Sequence, residues 1–225
     1  MNIIMLGAQG TGKGTLAGFL VEKLGIPQIS TGDIFRKNIK EQTELGIEAN
    51  KYIAKGMLVP DEITVPMVEN RLAQDDAKNG AILDGFPRTK AQAEKLDEIL
   101  AKKGKKIDLV INLVTPREEI ITRITNRRVC SNQECKATYN LTMHPPVKEG
   151  ICDKCGASLI QREDDSDEQS IKNRLDIYDR ETSPLVEYYT NKGIVSTQEI
   201  SERINRYAKE ASEDVLKYIE ENNIK

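Results

Sequence analysis

The chain predicts an α/β fold built on a parallel sheet and carrying two inserts. Three observations predict it. Short apolar runs alternate with stretches of helical periodicity, the pattern of βαβ units. The first apolar run, Met1–Leu6, passes into the glycine loop Gly7–Thr15 and then into the helical pattern Leu16–Leu24. Two stretches, residues 31–60 and 127–165, break the alternation.

The strands expected are Asn2–Leu6, Pro27–Ser30, Ala81–Asp84, Ile107–Leu113 and Ile194–Ser196. Ile107–Leu113 is almost continuously apolar, which suits a strand covered on both faces. The helices expected are Lys13–Leu24, Gly32–Glu41, Glu44–Lys55, Asp61–Gln74, Lys90–Lys103, Pro116–Arg127, Asp167–Lys192 and Ile200–Glu221. Residues 31–60 hold two helices in succession between strands. Residues 127–165 show little periodicity and hold all four cysteines, Pro145-Pro146 and the single histidine, His144, read as a solvated loop residue. A stretch of that length inside a compact domain is a small subdomain or a functional loop. Both breaks are read as inserts on the core sheet.

With 225 residues, 38% hydrophobic and 31% charged, the chain suits one globular domain with inserts. The net charge of −3 argues against bulk electrostatic binding of nucleic acid. No apolar run reaches the ~18 residues of a membrane span, and the N-terminus enters the first strand without a leader pattern. A cytoplasmic location follows as an expectation, and thiols there stay reduced.

Gly7-x4-Gly12-Lys13 has the spacing of a phosphate-binding loop. Successive N–H groups turn inward around an anion, the helix N-terminus adds partial positive charge, and Lys13 adds a full one. Gly14 stands where Ser or Thr usually meets magnesium, and the hydroxyl comes one residue later, at Thr15. Cys130-x4-Cys135 is followed by sixteen residues and then Cys152-x2-Cys155, a spacing that resembles a four-thiolate zinc site. Four thiolates close the coordination shell, so the metal is expected to be structural. A zinc-knuckle nucleic-acid module is a rival, but Ser131–Ser158 has three lysines, three acids and one aromatic, which suits it poorly.

Further motifs combine with these. Leu83-Asp84-Gly85-Phe86-Pro87-Arg88-Thr89 precedes a helix containing Gln92. Ser30-Thr31-Gly32-Asp33 and Arg36 come before it, and Arg127-Arg128 and Gln161-Arg162-Glu163-Asp164-Asp165 after it. The chain resembles the adenylate kinase family, in its long form with a zinc-bearing lid, from the first residue to about Ser196. The resemblance implies a five-stranded parallel sheet wrapped by helices, a P-loop kinase core formed by residues 1–30, 61–126 and 165–225. It assigns residues 31–60 to a nucleoside-monophosphate insert and 127–164 to the lid. The implied reaction is ATP + AMP ⇌ 2 ADP with Mg2+, catalysed by a monomer.

The resemblance also implies roles. Gly10, Thr11, Gly12, Lys13, Gly14 and Thr15 would hold the phosphates of ATP. Arg123 and Arg127 would lie on the ATP side, Thr138 and Tyr139 near its adenine or ribose, and the segment at Gln198 against its adenine. Thr31, Arg36, Met57, Leu58, Val59, Gly85, Phe86, Pro87, Arg88 and Gln92 would form the AMP site. Arg162 and Arg174 would close on the transferring group, Asp84 would order magnesium through water, and Asp164 and Asp165 would pair with arginines. An AMP phosphate oxygen is already a nucleophile, so no general base is required, and catalysis is positioning plus fixed positive charge. Arginine grips phosphate at two points, as lysine cannot. Arg71 and Arg180 read as solvated. The Gln92 amide carries a donor and an acceptor that match adenine's edge, and the same amide turned over fits other bases. Another nucleoside-monophosphate kinase is therefore the alternative.

Four departures from the family pattern stand out. Gln9 replaces a proline, which implies a less rigid loop. Asn126 replaces a glycine, with a left-handed hinge expected to survive on asparagine. Asn140 replaces a histidine, and the C-terminal adenine segment lacks its glycine.

Overall fold

The computed structural model describes residues 1–132, 134, 135, 137–204 and 206–224. Its strands are β1 (Asn2–Leu6), β2 (Gln28–Ser30), β3 (Ala81–Asp84), β4 (Leu109–Val114), β5 (Arg127–Cys130), β6 (Thr138–Asn140), β7 (Leu159–Ile160) and β8 (Val195–Glu199). Five of them form one parallel sheet in the order β2-β3-β1-β4-β8. The helices are α1 (Lys13–Leu24), α2 (Thr31–Lys40), α3 (Glu44–Ile53), α4 (Asp61–Leu72), α5 (Lys90–Ala101), α6 (Arg117–Thr125), α7 (Glu168–Ile177), α8 (Pro184–Thr190) and α9 (Ala208–Glu221).

The near-continuous apolar character of the strands has a direct cause. Successive side chains point to opposite faces, and both faces are covered. Ile4, Leu6, Leu83 and Val110 pack with α4, α5 and α8, whereas Ile3, Met5, Ile82 and Ile111 pack with α1 and α9. The chain leaves the central strand β1 between β3 and β4, so the glycine loop opens at the point where connections diverge to the two sides. Crevices at such points of a parallel sheet hold ligands.

The two inserts carry small cores of their own. Phe35, Ala49 and Val59 form one, and Cys130, Ala137 and Cys152 the other. The second contains the antiparallel sheet β6-β5-β7, where the sequence showed almost no periodicity. Its strands have 4, 3 and 2 residues, too few to display a period.

Two expected helices are shorter or broken. Asp167–Lys192 divides into α7, a wide π-helical turn at Tyr178–Thr182, and α8. Pro184 lacks an N–H and begins α8, in the first turn, where proline suits a helix. Ile200–Glu221 begins only at Ala208, because Ser201 is buried and turns its hydroxyl to Glu119; Asn205 within that range lies outside the described residues. Asn126 ends α6 at φ −89°, not in the left-handed region, so no hinge of that kind exists there. Its side chain bonds back to the Thr122 carbonyl at 3.0 Å. His144 is exposed, as expected of a solvated loop residue; its backbone bridges to Asn140 and its ring stands edge-to-face with that of Tyr207, 5.7 Å between centroids.

Candidate active site

The glycine loop is shaped by its own polar groups. Gly12 caps α1 at φ +96°, a conformation that side chains rarely adopt. Thr11 is buried and donates its hydroxyl to the Ala8 carbonyl at 2.9 Å. Lys13 folds back, donating to the carbonyls of Gly7 and Ala8, both at 2.7 Å. Thr15 is exposed at the start of α1. Gln9, the expected weak point, donates its amide to the Ile171 carbonyl at 3.2 Å and so ties the loop to α7.

The neighbouring strand ends supply the next groups. Asp84, at the end of β3, accepts from Gln28 at 3.0 Å and lies beside Lys13 and Arg88. Thr31 is buried and donates to the Gly85 carbonyl at 3.0 Å, and the Arg88 Nε donates to the same carbonyl at 2.9 Å. Phe86 and Pro87 are buried behind this turn and shape it from the core side. Thr89 caps α5 by accepting the Gln92 N–H at 3.2 Å, which fixes the helix start under Arg88.

A cleft opens here, lined by Thr31, Arg36, Met57, Leu58, Val59, Gly85, Arg88, Gln92, Asp164 and Arg174. Its apolar wall and Arg36 come from the first insert, Arg88 from the core and Arg174 from α7. Phe35, Ile53 and Thr64, which the sequence reading did not single out, line it too. Phe35 and Ile53 lie on the apolar faces of α2 and α3, and only the fold turns them toward the cleft.

Arg162 and the acidic pair close the site from the other side. Arg127 holds Asp165 by both oxygens, at 2.7 and 2.6 Å. Arg174 binds the Asp164 carboxylate at 2.9 Å and touches Asp165 at 3.4 Å. Arg123 is buried, paired with Glu119 at 3.0 Å, and its Nε has no partner among the described residues. Arg162 makes no ion pair among the described residues. Asn140 donates to the Arg123 carbonyl at 3.1 Å, joining β6 to α6.

The electrostatics are those of cations crowded together. Burial pulls Lys13 down to about 8, and Arg88, Arg127 and Arg174 add to the shift against the opposing pull of Asp84. Burial and the neighbouring Arg174 lower Arg88 to about 10. Burial, then Arg36 and Arg127, lower Arg162 to about 9. Burial acts in the same sense on Arg127, but the two bonds from Asp165 outweigh it and leave that guanidinium above its ordinary value. Burial opposes the charge on Asp164 as well, yet the surrounding arginines, Arg174 first, hold its carboxyl below the usual range. Such a cluster is unfavourable until an anion neutralises it. A chain of phosphates does so.

The chain matches the family model described as adenylate kinase over residues 5–194. It is 54% identical over 210 residues to the adenylate kinase of Caldicellulosiruptor saccharolyticus, covering 93% of this chain and 96% of that protein. The chain belongs to the adenylate kinase family. Adenylate kinases of Clostridium botulinum, 52% identical over 91% of this chain and 94% of theirs, and of Clostridium kluyveri, 50% identical over 92% and 94%, extend the match. As an adenylate kinase family member it is a phosphotransferase with a phosphate group as acceptor.

The remaining expected residues lie around this centre. Thr138 is exposed on β6. The Tyr139 hydroxyl turns to the cysteines, accepting the Asp153 N–H at 2.8 Å and meeting the Cys152 sulfur at 3.5 Å. Gln198 sits inside β8 opposite Leu113, its side chain bound to Ser196 and Arg206. Arg71 is not simply solvated but grips Asp76 at 2.8 and 2.7 Å, and Arg180 pairs with Glu181. The four cysteine sulfurs lie within 4.8 Å of one another. Tetrahedral zinc with bonds of ~2.3 Å places sulfurs ~3.8 Å apart, so the cluster is compatible with that ion. No helix among the described residues is long and apolar enough to cross a membrane.

Proposed function

We infer that the protein catalyses ATP + AMP ⇌ 2 ADP, with magnesium arriving as the ATP complex. The observation that carries this reading is the convergence of the glycine loop and the acceptor cleft on one cation cluster. The glycine loop with Lys13 opens on one side, and the cleft bounded by Arg36, Arg88 and Gln92 on the other. Gly10 to Thr15 would cradle the ATP phosphates. Arg36, Arg88 and the Thr31–Gly85 turn would hold the AMP phosphate, with Met57, Leu58 and Val59 against the base. Lys13, Arg88, Arg123, Arg127, Arg162 and Arg174 would spread over the transferring group, and all but Arg162 are fixed by carbonyls or carboxylates before substrate arrives. The segment from Gln198 onward, with Thr138 and Tyr139 of the lid, would approach the ATP adenosine.

Water is the competing acceptor, and the two inserts over a rigid sheet would exclude it before transfer. Residues 31–60 would act as the nucleoside-monophosphate insert and 127–164 as the lid. Zinc on Cys130, Cys135, Cys152 and Cys155 would tie the lid together without an open position for chemistry. The resemblance to the family implies a monomer, and thiolate ligation suits the cytoplasm. The test is an assay of ADP formation with ATP as donor and AMP, GMP, CMP and UMP as acceptors. Preference for AMP is the expected result; preference for another acceptor would replace the reading with a different nucleoside-monophosphate kinase.

A further inference from the structure

Gln92 lines the proposed acceptor cleft, is buried, and has an amide engaged on both sides. Its Oε1 accepts the Arg88 N–H at 2.8 Å, and its Nε2 donates to the Asp61 Oδ1 at 2.6 Å. Turned by 180°, an amide keeps nearly the same shape, so packing alone cannot orient it. Hydrogen-bond polarity can. A backbone N–H donates only, and a carboxylate accepts only. The reversed amide would set NH2 against the Arg88 N–H and a carbonyl against the Asp61 carboxylate, losing both bonds.

What the amide has left is one lone pair on Oε1 and one hydrogen on Nε2. A 6-amino purine offers an amino donor beside the N1 acceptor and fits that arrangement. A 6-oxo purine offers an oxygen acceptor beside an N1–H donor and needs the reversed one. Buried partners left unpaired are the strongest basis for rejecting a near-isosteric ligand.

Asp61 is itself held firmly. It is the first residue of α4, following Pro60 and the buried Val59, and the buried Thr64 donates its hydroxyl to the Val59 carbonyl at 3.2 Å. We propose that Asp61 is a specificity-determining residue, acting through Gln92 by locking its amide in the orientation that admits a 6-amino purine and excludes a 6-oxo purine. This deepens the reading of the cleft as the monophosphate site and rests on it.

The test compares wild type with Asp61→Asn, measuring kcat/KM for AMP, GMP and IMP, and for CMP and UMP, with ATP as donor. Asparagine keeps the size but offers a donor to a reversed Gln92 amide. The AMP/GMP and AMP/IMP ratios should each fall about 10- to 100-fold. The CMP/UMP ratio should move in the same sense, because these bases repeat the amino and oxo edges. KM for ATP and the melting temperature should stay at wild-type values. Asp61→Ser carries the same test if the first variant does not fold. Unchanged ratios in a folded variant, or an equal loss for all acceptors, overturn the proposal. A wild-type protein that does not favour AMP overturns the underlying reading instead, so the two failures are distinct.

Discussion

Arg127 grips both carboxylate oxygens of Asp165, and Asp165 is almost fully buried beneath it. One residue stands where β5 leaves α6, the other in the turn that leads to α7, so the pair clamps together the two segments at the base of the second insert. Arg174 leans on the same carboxylate at 3.4 Å. Asp165 is therefore the counter-charge that lets two arginines stand together in a buried site.

Asp165→Ala should be severely destabilising. Removing one partner of a buried pair leaves its cations uncompensated, a cost of about 3–5 kcal/mol. For a chain of this size that corresponds to a melting temperature lower by roughly 6–20 °C. Asp165→Asn, which keeps the shape and one acceptor, should lose less. Calorimetry on both variants checks this, and equal stability of all three proteins would show that the clamp contributes nothing.

The pH dependence follows from Lys13, which burial lowers to about 8 from an unfolded value of 10.5. A lysine depressed on folding opposes stability in full below about pH 8, and this penalty fades as pH rises toward 10.5. Phosphate binds the charged form. Hence kcat/KM for ATP should fall as pH rises through about 8, and ATP bound above that pH should take up a proton. Isothermal calorimetry in buffers of different ionisation heat measures the proton directly. Lys13→Met should fold normally, lose turnover by about 10³-fold or more, and lose this proton uptake.

How far these features could be read from residues alone depended on length and repetition. The element Lys13–Leu24 was legible because twelve residues carry both a period and a glycine loop in front. The Cys130–Cys155 cluster was legible because metal ligands obey spacing. β6 and β7 were not, since 3 and 2 residues have no period. The tethers from Gln9 to Ile171 and from Asn140 to Arg123 were also hidden, because each joins segments brought together only by the fold. Asp61 gave no signal either. Its role depends on Gln92, 31 positions away.

Metal removal should separate structure from chemistry. With zinc on the four thiolates as proposed, stripping it should lower the unfolding temperature of the second insert and raise its proteolytic cleavage, since binding free energy is folding free energy in so small a unit. The core sheet should keep its own transition. Turnover measured below the lid transition should persist at reduced level, because none of the four cysteines belongs to the cation cluster. Abolished turnover with an intact lid would place the ion in the reaction.

Gly56 marks the joint between the first insert and α7. Its φ is +68°, and an added Cβ would meet the Ser170 carbonyl at 2.8 Å. The carbonyl belongs to a helix backbone, so it cannot swing aside as a long side chain would. Gly56→Ala therefore combines a strained conformation with a forced shift of α7, at about 1–3 kcal/mol. Met57 and Leu58 follow at once in the cleft wall, and Arg174 lies one helical turn beyond Ser170. The same shift should move the apolar wall away from Arg174. KM for AMP should rise several-fold and KM for ATP by less, because the glycine loop touches α7 through Gln9 and Ala8 but is also held by its own bonds from Thr11 and Lys13. Steady-state kinetics with each nucleotide varied in turn decides the matter: an equal rise in both KM values would mean that α7 moves the whole site, and no rise would mean that the joint yields without disturbing the cleft.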